Sequence, residues 1–557
     1  MTVHRSVSWV LACVASLVLA ADLSAQSKGS KAISAENMKP SLRFLGAVEF
    51  RGRSTPSSEL DIASKYIALE ASRIGLKPLM PDGSYFQSVP VEVTTVSPSR
   101  SSLRVIGPGS EQRFFFPQAF SSPPQSGEWA GGGGVVLVGT ALSGPAPGWD
   151  DALGIDLRGS FAVVLEAPPP SGGTAGQSAA AGTAARTRVL REKGAIALIT
   201  IISRARETNL AQKGLAFDIA ERLRFLDVDT VNPAPLPLPG TAPATATPTP
   251  AAAALAPFYA VQVRHEAGAA LLGVSIDELG RLFDALASNQ PIAPRGVPGR
   301  LIEVSVLCDV RSRTTPNVVA YLAGSDPTLK DEYIVIGSHH DHNPSREGRI
   351  FPGADDNASG SVAMLEIAKA MMIERPKRSV IFVWHTAEER GLVGAYYFVQ
   401  HSPVPVEKIS ANLNLDMITR NDPNSIYLIG SNKISSELDR SFHEMNNASV
   451  KLALDYKYED PGEPNRFFFR SDQYPYIRYG IPGVWIFCGT TPDYHQETDV
   501  EEKADYAKME KVTRLTYLVA MDIGNKPALL KLDVHPEIKT RGAHNMKVVW
   551  QRPSSAR

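Results

Sequence analysis

The sequence predicts an α/β fold, a mostly parallel sheet sandwiched between helices and interrupted by an inserted module of different texture. Three observations predict it. From Leu301 onward, Val- and Ile-rich runs without polar alternation take turns with runs of helical spacing. Strands that are apolar on both faces need helices over both sides. Between about Ser110 and Pro298, Gly, Ala and Pro dominate instead. Finally, 557 residues exceed one domain by the usual prior. A content of 43% hydrophobic and 21% charged residues is that of an ordinary globular chain, and a formal net charge of −1 gives no basic excess for nucleic acid.

Taken in order, "MTVHRSVSWVLACVASLVLAADLSAQS" has a positive residue, an apolar run and then small residues near Ala25. Residues 1–25 therefore read as a secretory signal peptide, too short and wrongly flanked to span a bilayer. A lipid anchor on Cys13 would need a small residue where Leu11 stands. The mature chain is expected to be secreted or periplasmic, with no membrane span. Residues 26–110 hold "SELDIASKYIALEASRIGLKPL", apolar at helical spacing and stopped by Gly75, and then the strand pattern "GSYFQSVPVEVTTV". The insert is placed at 111–298. It contains strands ("GGVVLVG", "GSFAVVLE", "AIALITI"), a helix at 182–194, and a low-complexity Pro/Ala-rich loop at 233–257. Residues 299–525 carry the alternating strands and helices, and 526–557 form a polar tail with little pattern. Cys308 and Cys488 each lie in an apolar strand-like run, and sequence leaves open whether they pair.

The chemistry gathers at strand ends, where ligands collect in such folds. "EYIVIGSHHDHN" ends in His339 and Asp341, on one side if the strand continues, with His340 and His342 facing away. "FPGADDNASG" puts Asp355 and Asp356 in a turn before a helix. "SVIFVWHTAEERG" ends in Glu388 and Glu389, "ANLNLDMITR" in Asp416, and "TTPDYHQETD" carries Tyr494 and His495. Any one of these reads more readily as a structural or solvated residue. Together, imidazoles and carboxylates at converging strand ends suit hard-to-borderline divalent metals.

These motifs, "SHHDH", "GADDNASG", "TAEERG", "NLDM" and "DYHQETD", resemble metallopeptidase family 28, the aminopeptidase Y or co-catalytic zinc exopeptidase family. The likeness covers roughly Ser57–Ser97 and Leu301–Gly524. It implies a zinc-peptidase α/β/α sandwich with a mixed, mostly parallel sheet, and "GWDDALGIDLRGSFAVVLEAP" in the insert resembles a β-rich protease-associated (PA) domain. The resemblance implies two zinc ions, one held by His339 and Asp416, the other by Glu389 and His495, with Asp356 bridging. It implies Glu388 as general base, Asp341 orienting His339, and Tyr494 as a donor to the oxyanion. The implied activity is removal of N-terminal residues from peptide substrates. Two other readings are a glutamate-type carboxypeptidase, with Arg470 or Arg478 holding a terminal carboxylate, and a non-catalytic binding protein on a peptidase scaffold.

Three features depart from the family pattern. His340 stands where Tyr is usual, and His340 and His342 are expected to be bystanders. Asp355 competes with Asp356 as the bridge, although Asp356, directly before Asn357, matches the motif. Gln473 replaces the usual His of a Ser-Asp-His stretch, which bears on substrate contacts.

Overall fold

The computed structural model describes residues 27–124, 128–140, 154–166, 179–230, 258–288, 290–459 and 463–534. The expected signal peptide, the loop at 233–257 and the tail beyond 534 lie outside the described residues.

The larger of two sheets runs Ala453–Asp455, Ser425–Ile429, Gly483–Phe487, Ile409–Leu415, Tyr333–His339, Ser379–His385, Cys308–Leu322, Phe86–Val96 and Glu221–Phe225 from edge to edge. The four strands from Gly483–Phe487 to Ser379–His385 are mutually parallel, and Cys308–Leu322 and Phe86–Val96 join antiparallel. The apolar runs explain why these four are central. Ile334 and Ile336 pack with Val380, Phe382 and Trp384 into one helical layer, which holds helices Ser58–Ile74, Gly360–Ile373 and Tyr506–Asn525. Val335, Ile381 and Val383 face the opposite layer, with Phe398 and Tyr476 of helices Val393–Gln400 and Gln473–Arg478. Each such side chain contributes about 1.5–3 kcal/mol on burial. A central strand lined on both faces is thus held rigidly, and so is whatever stands at its end. The expected α/β sandwich with a mixed, centrally parallel sheet is what forms.

The helices begin and end where their chemistry dictates. Ser57 caps Ser58–Ile74 through an Oγ that accepts the Leu60 N–H at 3.1 Å, and Gly75, at φ 101°, takes the left-handed turn that ends it. Asp505 caps Tyr506–Asn525 by accepting the Lys508 N–H at 3.0 Å. No helix among the described residues is long and apolar enough to cross a membrane.

The second sheet has eight strands and extends from Ser102 to Val306, a little beyond 111–298 at both ends. Four of them, Trp129–Leu137, Ser160–Leu165, Ala197–Ile201 and Tyr259–Val263, are parallel. Helices His265–Leu272 and Ile276–Ala287 close one face over a core of its own. The inserted segment is not wholly separate, however. Glu221–Phe225 leaves it to pair along Phe86–Val96 at the edge of the first sheet. Nearby, Arg206 pairs with Glu347 at 2.5 Å, and Asp218 accepts the Glu347 N–H at 2.6 Å. Cys308 and Cys488 are both free thiols.

Candidate metal centre

The carboxyl ends of the parallel strands deliver their polar residues to one place. His339 is the last residue of its strand and lies level with His385 in the register. Asp416 follows Leu415 directly. Between them sits the turn 353–360, pinned by Asn357, whose Nδ2 donates to Ser338 Oγ and the Leu415 carbonyl, both at 3.0 Å. Its Oδ1 accepts the Gly360 N–H at 3.0 Å. One buried amide thus ties two strand ends to the start of a helix and sets Asp356 between them.

Two donor groups result. In the first, His339 Nε2 lies 3.3 Å from Asp356 Oδ1 and 3.3 Å from Asp416 Oδ1. In the second, His495 Nε2 lies 3.1 Å from Asp356 Oδ2 and 3.3 Å from Glu389 Oε1. The two oxygens of Asp356 therefore face different groups. Glu388 Oε2 stands 4.0 Å from His339 Nε2, at the edge of the first. Donors around a tetrahedral zinc with bonds of about 2.0–2.1 Å lie about 3.3 Å apart, which matches these spacings. Among the described residues no lysine or arginine pairs with Asp356, Glu388, Glu389 or Asp416. Buried carboxylates neutralised only by imidazoles are costly without a cation, so the residues fit divalent metal.

The electrostatics follow from crowding. Burial pushes Glu388 up, and Glu389 and Asp416 add to it, so its carboxyl titrates well above the usual range. Burial also opposes ionisation of Asp356, but His342, His339 and His495 outweigh it and hold the carboxyl well below that range. Glu389 falls to about 2 against burial and Asp356, through its contacts with His342 and His495. His495 resists the effect of burial and rises to about 10 on the charges of Asp356 and Glu389.

Several sequence expectations are altered. Asp355 faces away from both groups, with Oδ1 accepting the Thr419 N–H at 2.8 Å and the Thr419 hydroxyl at 2.7 Å. It is Asp356 that lies between the imidazoles. Asp341 reaches His339 through its main chain: Nδ1 donates to the Asp341 carbonyl oxygen at 3.1 Å, while the carboxylate stands 3.8 Å off. That carboxylate instead accepts the Thr55 hydroxyl at 2.8 Å and the Glu388 N–H at 3.1 Å, so it positions the residue beside His339. Burial raises it to about 6. His340 faces away as expected, against Ser64 and the His385 carbonyl. His342 does not. The strand stops at His339, its alternation stops with it, and His342 turns back so that Nδ1 lies 2.9 Å from Glu389 Oε1. His342, Asp356, Glu389 and His495 form one cluster of potential metal ligands, and His339, Asp356 and Asp416 another.

Tyr494 lines the same pocket, its ring stacked on His495 with centroids 3.8 Å apart and its hydroxyl accepting from Arg470 Nη2 at 3.1 Å. Arg478 is committed elsewhere, donating to the Tyr396 hydroxyl at 2.6 Å and the Thr230 carbonyl at 3.1 Å. Sequence reasoning missed the supports. Buried Arg53 donates to the carbonyls of His340, Pro352 and Gly353 at 3.1, 2.7 and 2.9 Å, stapling two site loops. Ser471 donates to Asp416 Oδ2 at 2.5 Å, and Asp499 accepts the N–H groups of Asp355 and Asp356 at 3.1 Å.

The chain is 32% identical over 224 residues to a probable leucine aminopeptidase 2 of Aspergillus oryzae, covering 40% of this chain and 41% of that protein. It is 29% identical over 217 residues to leucine aminopeptidase 2 of Arthroderma otae, covering 37% and 39%. The chain thus spans about two fifths of the curated relatives it matches. Over 90% of its length it shares the fold of a zinc aminopeptidase from Bacillus subtilis, covering 99% of that chain at 16% identity and a TM-score of 0.51. Residues 317–520, which carry every imidazole and carboxylate of both clusters, match the model of Peptidase family M28.

Proposed function

We propose that this chain is an exported zinc-dependent aminopeptidase with two metal subsites that share Asp356. The observation that carries the reading is the pair of donor groups on opposite oxygens of one buried carboxylate, with Glu388 beside them. His339 and Asp416 would hold one metal, and Glu389 and His495 the other. Zinc there supplies Lewis-acid polarisation of the scissile carbonyl and lowers the pKa of water at the site. Glu388, whose Oε2 stands 4.0 Å from His339 at the edge of the first donor group, takes the proton of the attacking water and passes it to the leaving amine nitrogen. Asp341 holds the Glu388 main chain in place, and Tyr494, with Arg470 behind its hydroxyl, donates to the oxyanion.

One feature favours an N-terminal over a C-terminal substrate: of the two arginines that could hold a terminal carboxylate, Arg478 is engaged by Tyr396 and Thr230. Met417, Phe467, Trp485 and Phe487 line the rest of the pocket, a wall for an apolar side chain such as leucine. The signal-like segment at 1–25 supports export, and the insert, read as PA-like, contacts Glu347, five positions past His342.

Glu388→Gln is the test. Hydrolysis of leucyl-anilide should fall by about 10²–10⁴-fold while metal content stays at the wild-type level. Wild-type activity confined to N-blocked peptides would move the reading to a carboxypeptidase using Arg470. Activity unchanged by the substitution would remove Glu388 from the chemistry.

A further inference from the structure

We propose that His342 is a fourth protein donor to the Glu389–His495 subsite, so that this subsite is closed and the His339–Asp416 subsite keeps an open position. The inference rests on the two-metal reading above and says how the two positions differ. Four of the six donor–donor spacings in the cluster are fixed by the structure. His342 Nδ1 lies 2.9 Å from Glu389 Oε1 and 3.7 Å from Asp356 Oδ2. His495 Nε2 lies 3.3 and 3.1 Å from the same two oxygens. They scatter around the spacing of about 3.3 Å that tetrahedral zinc requires.

A second, independent observation points the same way. The His342 side chain is 0% exposed. Neither ring nitrogen has a hydrogen-bond partner, although Nδ1 touches a carboxylate. A fully buried imidazole left without hydrogen bonds costs stability unless something else occupies its lone pair. The fold also makes room for it. A Cβ on Gly353 would sit 2.6 Å from Cγ and Cδ2 of His342, so the glycine that opens the metal turn is what lets the ring lie there.

The other subsite has three donors, His339, Asp356 and Asp416, and no fourth His, Cys, Asp or Glu joins it among the described residues. Sites closed by four protein ligands are structural, whereas three-ligand sites keep a position for water or substrate. The chemistry is thereby assigned to the His339 side, where Glu388 stands, and the Glu389–His495 side becomes the fixed charge that anchors Asp356.

The test uses the full chain loaded with zinc. X-ray absorption at the zinc edge should count three imidazoles for every two metals, and two if His342 does not bind. In chelator competition, His342→Gln should lose one zinc about 100-fold more readily than wild type and hold the other unchanged. Near-ultraviolet circular dichroism of the chelator-treated variant, matching wild type, establishes that it has folded. Two imidazoles per two metals, or a folded variant that keeps both zincs at wild-type affinity, overturns the inference and leaves the two-metal reading standing. A wild-type chain that binds no zinc overturns both.

Discussion

His340 and His342 stand two positions apart, are both buried, and have opposite surroundings. His340 Nδ1 lies 2.7 Å from the His385 carbonyl and Nε2 2.8 Å from Ser64 Oγ, a neutral ring that is satisfied at both ends. Burial, helped by the charge of Arg53, lowers its pKa to about 3. The sign follows directly. An imidazole near pKa ~6.5 in the unfolded chain takes up protons there before it does in the fold. Its contribution is therefore fully present above about pH 6.5 and is lost as pH falls toward 3. In chelator-treated protein the slope of wild type should exceed that of His340→Gln by an amount approaching about 1.4 kcal/mol per pH unit, because Asp341 and the other buried carboxyls titrate alike in both. Urea unfolding between about pH 7 and pH 5 checks this, and identical slopes for the two proteins would refute the assignment. At this scale the sequence was half legible. Alternation along a strand separates His339 from His340 but carries no information past the strand's last residue, which is where His342 lies.

The turn 353–360 and the strand ends it joins form the next scale. Its lone amide anchor, Asn357, is completely buried and bonds to Ser338, Leu415 and Gly360. Asn357→Ala would leave at least one buried carbonyl and one buried N–H unsatisfied. We expect a loss of about 2–4 kcal/mol in denaturant unfolding, together with weaker metal retention, because Asp356 is the residue directly before it. Wild-type stability in that variant would mean that Arg53 and Asp499 hold the turn without it. The apolar strands and the acidic motifs at their ends were legible because each is a local pattern. The supports were not. Thr55 meets Asp341 across 286 positions and Arg53 meets Gly353 across 300, so "RGRSTP" carries no local sign of its role. Glu221–Phe225 was missed for a related reason: its burial pattern is mostly exposed, as befits an edge strand.

At the scale of the whole molecule, metal should act as a stabilising ligand. Anything bound to the folded state at about 100 times its dissociation constant adds about 2.7 kcal/mol. Chelation should accordingly lower Tm by several degrees, and zinc should restore it; a Tm indifferent to chelator would argue that the carboxylates are neutralised by protons instead. The Glu221–Phe225 strand bears on the molecule's outline. The inserted segment is fastened to the larger sheet where the chain enters it, where it leaves, and a third time along Phe86–Val96. Arg206 and Asp218 add a fourth fastening at Glu347, five positions past His342. Fastenings so far apart in the sequence leave the inserted segment no single hinge to turn on.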